Sequence, residues 1–467
     1  MVLLYVDHPV APKAHVTRED RGRIRQHRRR ADAWQVLAVV SVAIPLAMYL
    51  AQGAAEQFTT VGTTVYALGV IAGLIGTQLC LIMLLLAARV PGIERVYGQD
   101  RAIALHSKLG KPVFYLLVAH GLLLMVGAAL QSGVDVIATT AAFLSDSNYL
   151  LATIGLGLFA VVAISSFVAV KRALHFEVWH FIHLLSYIAV GVALPHQFVS
   201  GGVFGQGPSL WYWMALYIVT ALCLLVWRWF LPVVRSARHQ LRVSRIEVIG
   251  PDVFSVYLTG QRLDRLAAQG GQYLHWRFWA PGLWWQSHPY SLSAAPKNGE
   301  LRITVRGVGA GTARILRVAP GTRVGIAGPY GRFTVAARTK PRLALVGAGM
   351  GIAPLRALMD ELTPMPGRLT VILRSPSTEQ TWLLEEVTHQ AERLGGRVIV
   401  LPGRRAPGDW RSADAVRKGF TLGNLVPAIP ETDFYICGPT DWTEAVGRDV
   451  RSFGGKSDHI HAERFSW

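Results

Sequence analysis

Six stretches of roughly twenty apolar residues each, all in the first half of the chain, limit its possible folds more than any other feature. They run from Ala33 to Ala51, Val65 to Ala88, Pro112 to Leu130, Tyr149 to Val170, Trp179 to Val199 and Leu210 to Val234. The chain is 51% hydrophobic and only 16% charged over 467 residues, which is too apolar for a wholly soluble protein. A bundle of membrane-spanning helices is expected, because a helix satisfies its own backbone hydrogen bonds in lipid.

The connections set the orientation. Lys and Arg gather in "RGRIRQHRRR" before the first span, in the second connection "RVPGIERVYGQDR", at Lys171 and Arg172, and in the exit "VRSARHQLR". The first, third and fifth connections contain neither residue. The positive-inside rule predicts a multi-pass protein of the cell membrane with both termini in the cytoplasm. The formal charge of +18 then serves topology and a lipid surface, and nucleic acid is not expected as a partner. Cys80, Cys223 and Cys437 lie far apart, so neither a disulfide framework nor a four-thiolate iron-sulfur site is expected.

Histidines are the unusual feature of the apolar half. The third span carries His120, with His106 at its cytoplasmic edge, and the fifth carries His180, His183 and His196, with His175 at its interface. A neutral imidazole ligates haem iron, and two facing helices can clamp a haem between two such ligands. His106 and His120 are 14 residues apart, which is roughly 21 Å of rise and nearly whole turns. His183 and His196 have a matching rise, but their 13-residue spacing turns an ideal helix away, and Pro195 offers the local unwinding that would restore the facing. Two b-type haems are expected, His106 with His183 on the inner side and His120 with His196 on the outer. His175 reads as an interfacial histidine, and His180 competes with His183 for the inner site.

Beyond the sixth span the texture changes. Short alternating runs such as "VFSVYLTG" and "LRITVRGVG" predict a small antiparallel β-barrel, with "HPYSLSAAP" read as a proline-containing turn. From Lys340 the runs "PRLALVGAGMGIAPLRALMDEL", "RLTVILRSP", "RVIVLPG" and "TDFYICGP" predict a parallel sheet with helices on both faces. Four segments are thus expected: a basic cytoplasmic segment (1–31), the membrane domain (32–235), the barrel (236–338) and the α/β domain (339–467). Gly347, Gly349 and Gly351 let the backbone approach a pyrophosphate at a helix start. "ICGP" places Cys437, followed by Gly438 and Pro439, at the carboxyl edge of the sheet, where ligands of this fold class bind. Arg374, with Ser375 and Ser377, follows a strand at the place where a cation would meet the 2'-phosphate of NADPH rather than NADH.

Taken in order, "HPYSLSAAP", "GPYGRF", "GAGMGIAP", "ICGP" and the terminal "HAERFSW", behind six spans with paired histidines, resemble the NADPH oxidase and ferric reductase family of transmembrane flavocytochromes b, in its bacterial type. The resemblance covers nearly the whole chain after the first thirty residues. It implies a six-helix transmembrane haem-binding bundle followed by a ferredoxin-reductase-like module, with an FAD-binding antiparallel β-barrel and an α/β nicotinamide-nucleotide domain. It implies that Pro289 and Tyr290 lie along the flavin, with Ser291 near its N5 and His288 by its phosphate, and that Arg306 and Thr312 help to hold the FAD pyrophosphate. Gly347, Gly349, Gly351 and Pro354 would cradle NADPH, with Cys437, Gly438 and Pro439 beside the nicotinamide. Trp467 would stack on the flavin until nicotinamide displaces it. Ser291, Cys437 and Trp467 are the catalytic candidates.

The expected function is electron transfer from cytosolic NADPH through FAD and two haems to a small extracytoplasmic acceptor such as ferric ion or molecular oxygen. A haem membrane subunit serving a partner reductase or quinone pool is the alternative, and a nucleotide-regulated transporter or sensor the third reading. The outer connections lack the basic residues usual in superoxide-producing members, and no calcium-loop pattern is present. The terminal acceptor and the oligomeric state stay open.

Overall fold

The computed structural model describes residues 3–4, 18–167, 170, 173–200, 207–307 and 309–465. The chain divides into two compact units, Arg28–Trp229 and Phe230–Trp467, the latter joined by Met1–His27.

The long helices of the first unit are α1 (Arg18–Ala51, from Arg28 onward), α2 (Val61–Ala87), α4 (Gln99–Ser132), α6 (Ser147–Ser166), α7 (Phe176–Pro195) and α8 (Gly207–Cys223), with shorter helices α3 (Pro91–Tyr97) and α5 (Val136–Ser145) between them. Among the described residues six helical segments are long and apolar enough to cross a membrane: Arg29–Ala51, Val61–Ala87, Gln99–Ser132, Ser147–Ser166, Glu177–Val199 and Gly207–His239. The basic pair Lys171 and Arg172 lies outside the described residues.

Glycines set the closest helix pairing. In α2, Gly62 faces Gln131, Gly69 faces Leu124 and Gly76 faces Leu117 of α4, each within 3.0–3.1 Å of where a Cβ would stand. Small residues let two membrane helices approach backbone to backbone, where dispersion replaces the missing hydrophobic drive. The antiparallel register that results decides which α2 residues meet the α4 histidines.

The third connection contains α5. Asp135 caps it, accepting from the backbone N–H groups of Ile137 and Ala138 at 2.9 Å.

The second unit begins with α9 (Leu231–His239), which packs on a six-stranded antiparallel barrel. Its strands are β2 (Arg242–Gly250), β3 (Val253–Thr259), β4 (Tyr273–Phe278), β5 (His288–Lys297), β6 (Glu300–Arg306) and β7 (Val324–Tyr330), in the order β2-β3-β6-β5-β4-β7. "HPYSLSAAP" is therefore the strand β5 rather than a turn. Its Pro289 is only the second residue, where a missing N–H costs the ladder little. Period-two alternation buries Leu274, Trp276 and Phe278 of β4 and turns His275 and Arg277 outward.

The last part is a parallel sheet of β8 (Arg342–Ala348), β9 (Leu369–Ser375), β10 (Arg397–Pro402), β11 (Thr432–Pro439) and β12 (Ile460–Phe465), in the order β10-β9-β8-β11-β12, with the short strand β1 (Leu3–Leu4) antiparallel at one edge. Both faces are covered. Leu343 and Leu345 pack in one core, while Ala344 and Val346 pack in the other. Helices α11 (Ile352–Asp360), α12 (Leu384–Arg393) and α13 (Thr440–Ser452) contribute to these layers.

A charged brace joins barrel to sheet. Arg302 of β6 donates to both carboxylate oxygens of Glu386 in α12 at 2.8–2.9 Å, and Asp360 of α11 accepts from the Ala295 N–H at 3.0 Å. Burial opposes ionisation of Glu386, but hydrogen bonds and charge from Arg302 and Arg356 hold its carboxyl below the usual range.

Candidate functional site

In the first unit the structure brings four histidines into two pairs. The rings of His106 and His183 are 5.8 Å apart between centroids, and those of His120 and His196 are 6.4 Å apart. Two imidazoles on opposite sides of one metal ion, each at about 2.0 Å, put their centroids roughly 6 Å apart. His180 is not one of the four, and Trp179 stacks on His183 at 5.1 Å.

The orientation of the rings is set by the backbone. The Nδ1 atoms of His106, His120 and His196 lie 2.9, 2.9 and 2.5 Å from the carbonyl oxygens of Met83, Gly69 and Ala193. A ring whose Nδ1–H donates to a carbonyl presents the lone pair of Nε2, which is the tautomer a metal ligand needs. Room is also made for the ring: a Cβ at Gly73 would stand 2.4 Å from His120 Nδ1. His196 stands where the α-helix ends at Pro195 and gives way to a π-helical turn over His196–Ser200. These residues suit a haem held by two histidines at each of two levels.

In the second unit, the carboxyl edges of three parallel strands set Gly347, Cys437 and Glu463 side by side, since Cys437 is in register with both neighbours. The glycine turn folds against this row. A Cβ at Gly351 would stand 2.0 Å from the Cys437 carbonyl oxygen, so only glycine fits. Gly349 begins the turn, and Pro354 is buried in the first turn of α11. Cys437 is fully buried, and Gly438 packs against Trp442.

The barrel contributes β5 to the same place. Ser291 Oγ donates to Glu463 Oε1 at 2.7 Å, both side chains being buried. Sequence reasoning missed Glu463, although it stands inside the quoted "HAERFSW". Nothing local marks it, because its partner is 172 residues away. His288 and Tyr290, two apart on one strand face, hold their rings parallel within 1° at 5.8 Å and form a flat wall. Burial pushes the Tyr290 phenol above its ordinary pKa, so it stays neutral. Pro289 is exposed beside them.

A cavity of about 350 Å³ opens beyond the glycine turn, lined by Gly349, Arg374, Arg405, Arg306, Pro439 and Phe465 among others. Arg374 is buried, donates to the carbonyls of Ser375 and Leu401, and leaves its Nε without a hydrogen-bond partner. Burial, and then the nearby Arg405, lower its pKa, so an anion in the cavity would relieve both penalties. Arg405, from the loop after β10, was not expected from the sequence. The Ser375 hydroxyl bonds to the Ser377 carbonyl and the Thr381 hydroxyl. Arg306 pairs with Asp252 at 2.7 Å, and the Thr312 hydroxyl donates to the Gly309 carbonyl at 2.8 Å at the start of helix α10 (Ala310–Ile315). Trp467 lies outside the described residues.

Three family profiles match in succession: "Ferric reductase like transmembrane component" over residues 72–194, "FAD-binding domain" over 238–334 and "Oxidoreductase NAD-binding domain" over 345–447. The chain has the NADPH oxidase and ferric reductase architecture. It is an NAD(P)H-dependent oxidoreductase built for transmembrane electron transfer.

Two of the curated relatives each match about half of this chain. The toluate 1,2-dioxygenase electron transfer component of Pseudomonas putida is 26% identical over 240 residues, 50% of this chain and 69% of that protein. A flavohemoprotein of Pseudomonas aeruginosa is 31% identical over 237 residues, 49% of this chain and 58% of its own length. Among solved structures, the flavohem-like FAD/NAD-binding domain of nitric oxide dioxygenase from Vibrio cholerae is 23% identical with a TM-score of 0.41, covering 49% of this chain and 99% of that one.

Proposed function

We propose that this oxidoreductase moves electrons from cytosolic NADPH through FAD and two b-type haems to a small extracytoplasmic acceptor, ferric ion or molecular oxygen. FAD would occupy residues 236–338 and NADPH residues 339–467, and both termini would be cytoplasmic. The observation that carries the reading is the pairing of His106 with His183 and of His120 with His196 on apolar helices. When bound, the flavin would take a hydride and release its electrons singly, and the haems would accept them one at a time.

The chain's own residues do the rest. His106, His120, His183 and His196 would hold the two irons, and the backbone carbonyls at Met83, Gly69 and Ala193 fix three of the rings. Tyr290 and His288 would bound the flavin, with Ser291 against its N5. There the Ser291 hydroxyl can pass a proton between that nitrogen and Glu463, to which it is already hydrogen-bonded. The turn Gly347–Gly351 would admit the pyrophosphate, Arg374 and Arg405 would meet the 2'-phosphate, and Cys437 would border the nicotinamide. Trp467 would cover the flavin between turnovers.

Sealed proteoliposomes test the whole reading. With NADPH added outside to protein of known orientation and a ferric chelate trapped inside, ferrous ion is expected to appear in the lumen. Electron delivery only to the NADPH side would overturn the transmembrane route. Superoxide in the lumen without ferric reduction would assign oxygen as the acceptor.

A further inference from the structure

The loop between β4 and β5 is built in a way that the electron-transfer reading does not use. It exposes three tryptophans, Trp279, Trp284 and Trp285, at 55%, 53% and 48%, whereas Trp276, Trp410 and Trp442 of the same unit are at most 2% exposed. Clustered exposed indoles on a protein surface mark an interaction site. The loop is also firmly held. Leu283 is buried beneath it, the Trp279 N–H donates to the Arg323 carbonyl at 3.0 Å, and Arg314 donates to the Gly282 carbonyl at 3.3 Å.

Its position says what would cover it. A Cβ on Gly325 would stand 3.4 Å from Trp279 Nε1 and 3.6 Å from Ser236 Oγ, so Trp279 sits beside α9. Helix α9 is the end of the sixth apolar segment, Gly207–His239, and it leaves Val233 67% exposed. Charge points the same way. The segments 231–239, 277–287 and 309–323 contain six arginines and no Asp or Glu. Indoles at headgroup depth with arginines beside anionic lipid are the composition of a membrane interface.

We propose that the Trp279–Trp285 loop, with Arg277, Arg314, Arg317 and Arg323 around it, rests in the anionic headgroup layer of the membrane that the chain spans. The inference rests on the membrane embedding and not on the haem or acceptor assignments. It gives the flavin domain a second anchor besides the covalent one at α9.

The test uses full-length protein in phosphatidylcholine vesicles containing phosphatidylglycerol. The native cysteines Cys80, Cys223 and Cys437 are buried, so Trp285→Cys or Trp284→Cys can carry a fluorophore selectively, with Val416→Cys (Val416 39% exposed) on the nucleotide domain as reference. Lipids bearing a nitroxide near the glycerol end are expected to quench the label at 285 or 284 about threefold more than that at 416. Adding Arg314→Gln and Arg317→Gln should shrink that difference. Equal quenching at the two sites would overturn the proposal, as would protection of the loop label from both lipid nitroxide and aqueous iodide, which would mean that protein covers it. Accessibility that changes only on flavin removal would assign the indoles to the cofactor instead. Quenching unaffected by the arginine substitutions would overturn the anionic-lipid assignment.

Discussion

Ser291 on the barrel and Glu463 on the last strand of the sheet share a buried hydrogen bond of 2.7 Å, which ties the flavin side of the module to the nicotinamide side. Removing the hydroxyl leaves a buried carboxylate short of a donor and, on the proposed function, takes away the exit for the flavin N5 proton. With the N5 hydrogen arriving as part of the hydride and leaving as a proton only on reoxidation, Ser291→Ala is expected to slow electron release from the NADPH-reduced flavin by about 10²-fold, and Glu463→Gln by about tenfold. Stopped-flow absorbance of the flavin checks both, and rates within twofold of wild type would remove the pair from the chemistry.

The glycine beneath His120 gives a second test. Alanine is normally the better helix former by about 1 kcal/mol, so Gly73→Ala should help α2 as a helix. In place, its methyl would stand 2.4 Å from the His120 ring nitrogen. The variant is therefore expected to lose one of two haems while keeping its flavin. Gly157→Ala in α6, where a Cβ meets nothing within 4 Å, should keep both. Haem and flavin extracted from each variant are the measurements.

Cofactor choice follows from the cationic cavity. A charge-assisted hydrogen bond is worth about 1.5–3 kcal/mol, so Arg374→Ala or Arg405→Ala should lower kcat/KM for NADPH by roughly 10- to 100-fold. The value for NADH should barely change. Equal losses with both nucleotides would mean that the arginines serve the fold and not the 2'-phosphate.

How much was legible depended on the range of the forces involved. The spans follow from composition, but His106 lies six residues before the apolar stretch Pro112–Leu130 and is brought to His183 by a helix that already begins at Gln99. The pairing of His120 with His196 was harder to read, because the α-helix of the fifth span ends at Pro195, the residue before His196, and a π-helical turn follows. Helix α5, within the third connection, has a local signal in Asp135 before "VIATT", an N-cap residue ahead of an apolar run. Glu463 and Arg405 were illegible for another reason: each acquires its role from strands brought together by sheet order, and neither has a distinguishing neighbour in the chain.

A buried acid makes the nucleotide domain sensitive to pH. Asp433 is fully buried and accepts from the Thr339 and Lys340 N–H groups at 2.5 and 2.6 Å, with His459 and His461 at 3.4 and 3.5 Å. Burial alone would raise its pKa, but the two histidines and the Thr339 N–H outweigh it and hold the carboxyl well below the usual range. A folded pKa below the unfolded one stabilises above the unfolded value, about 3.9, and that stability is lost as pH falls through the folded value. The unfolding temperature of wild type should thus decline below about pH 4. Asp433→Asn should be less stable at pH 7 by about 2 kcal/mol and show a flatter acid limb. A variant with the wild-type acid limb would assign the decline to other groups.

The central claim is that NADPH electrons reach two histidine-held haems through the flavin, and anaerobic absorbance of the purified protein tests it most directly. Wild type is expected to contain two haems per flavin, with both sets of haem bands reduced on addition of NADPH. His120→Ala and His196→Ala should each retain one haem and rapid flavin reduction, and should deliver nothing to the outer acceptor. Full haem content in either variant, or haem bands that stay oxidised while the flavin is reduced, would contradict the account.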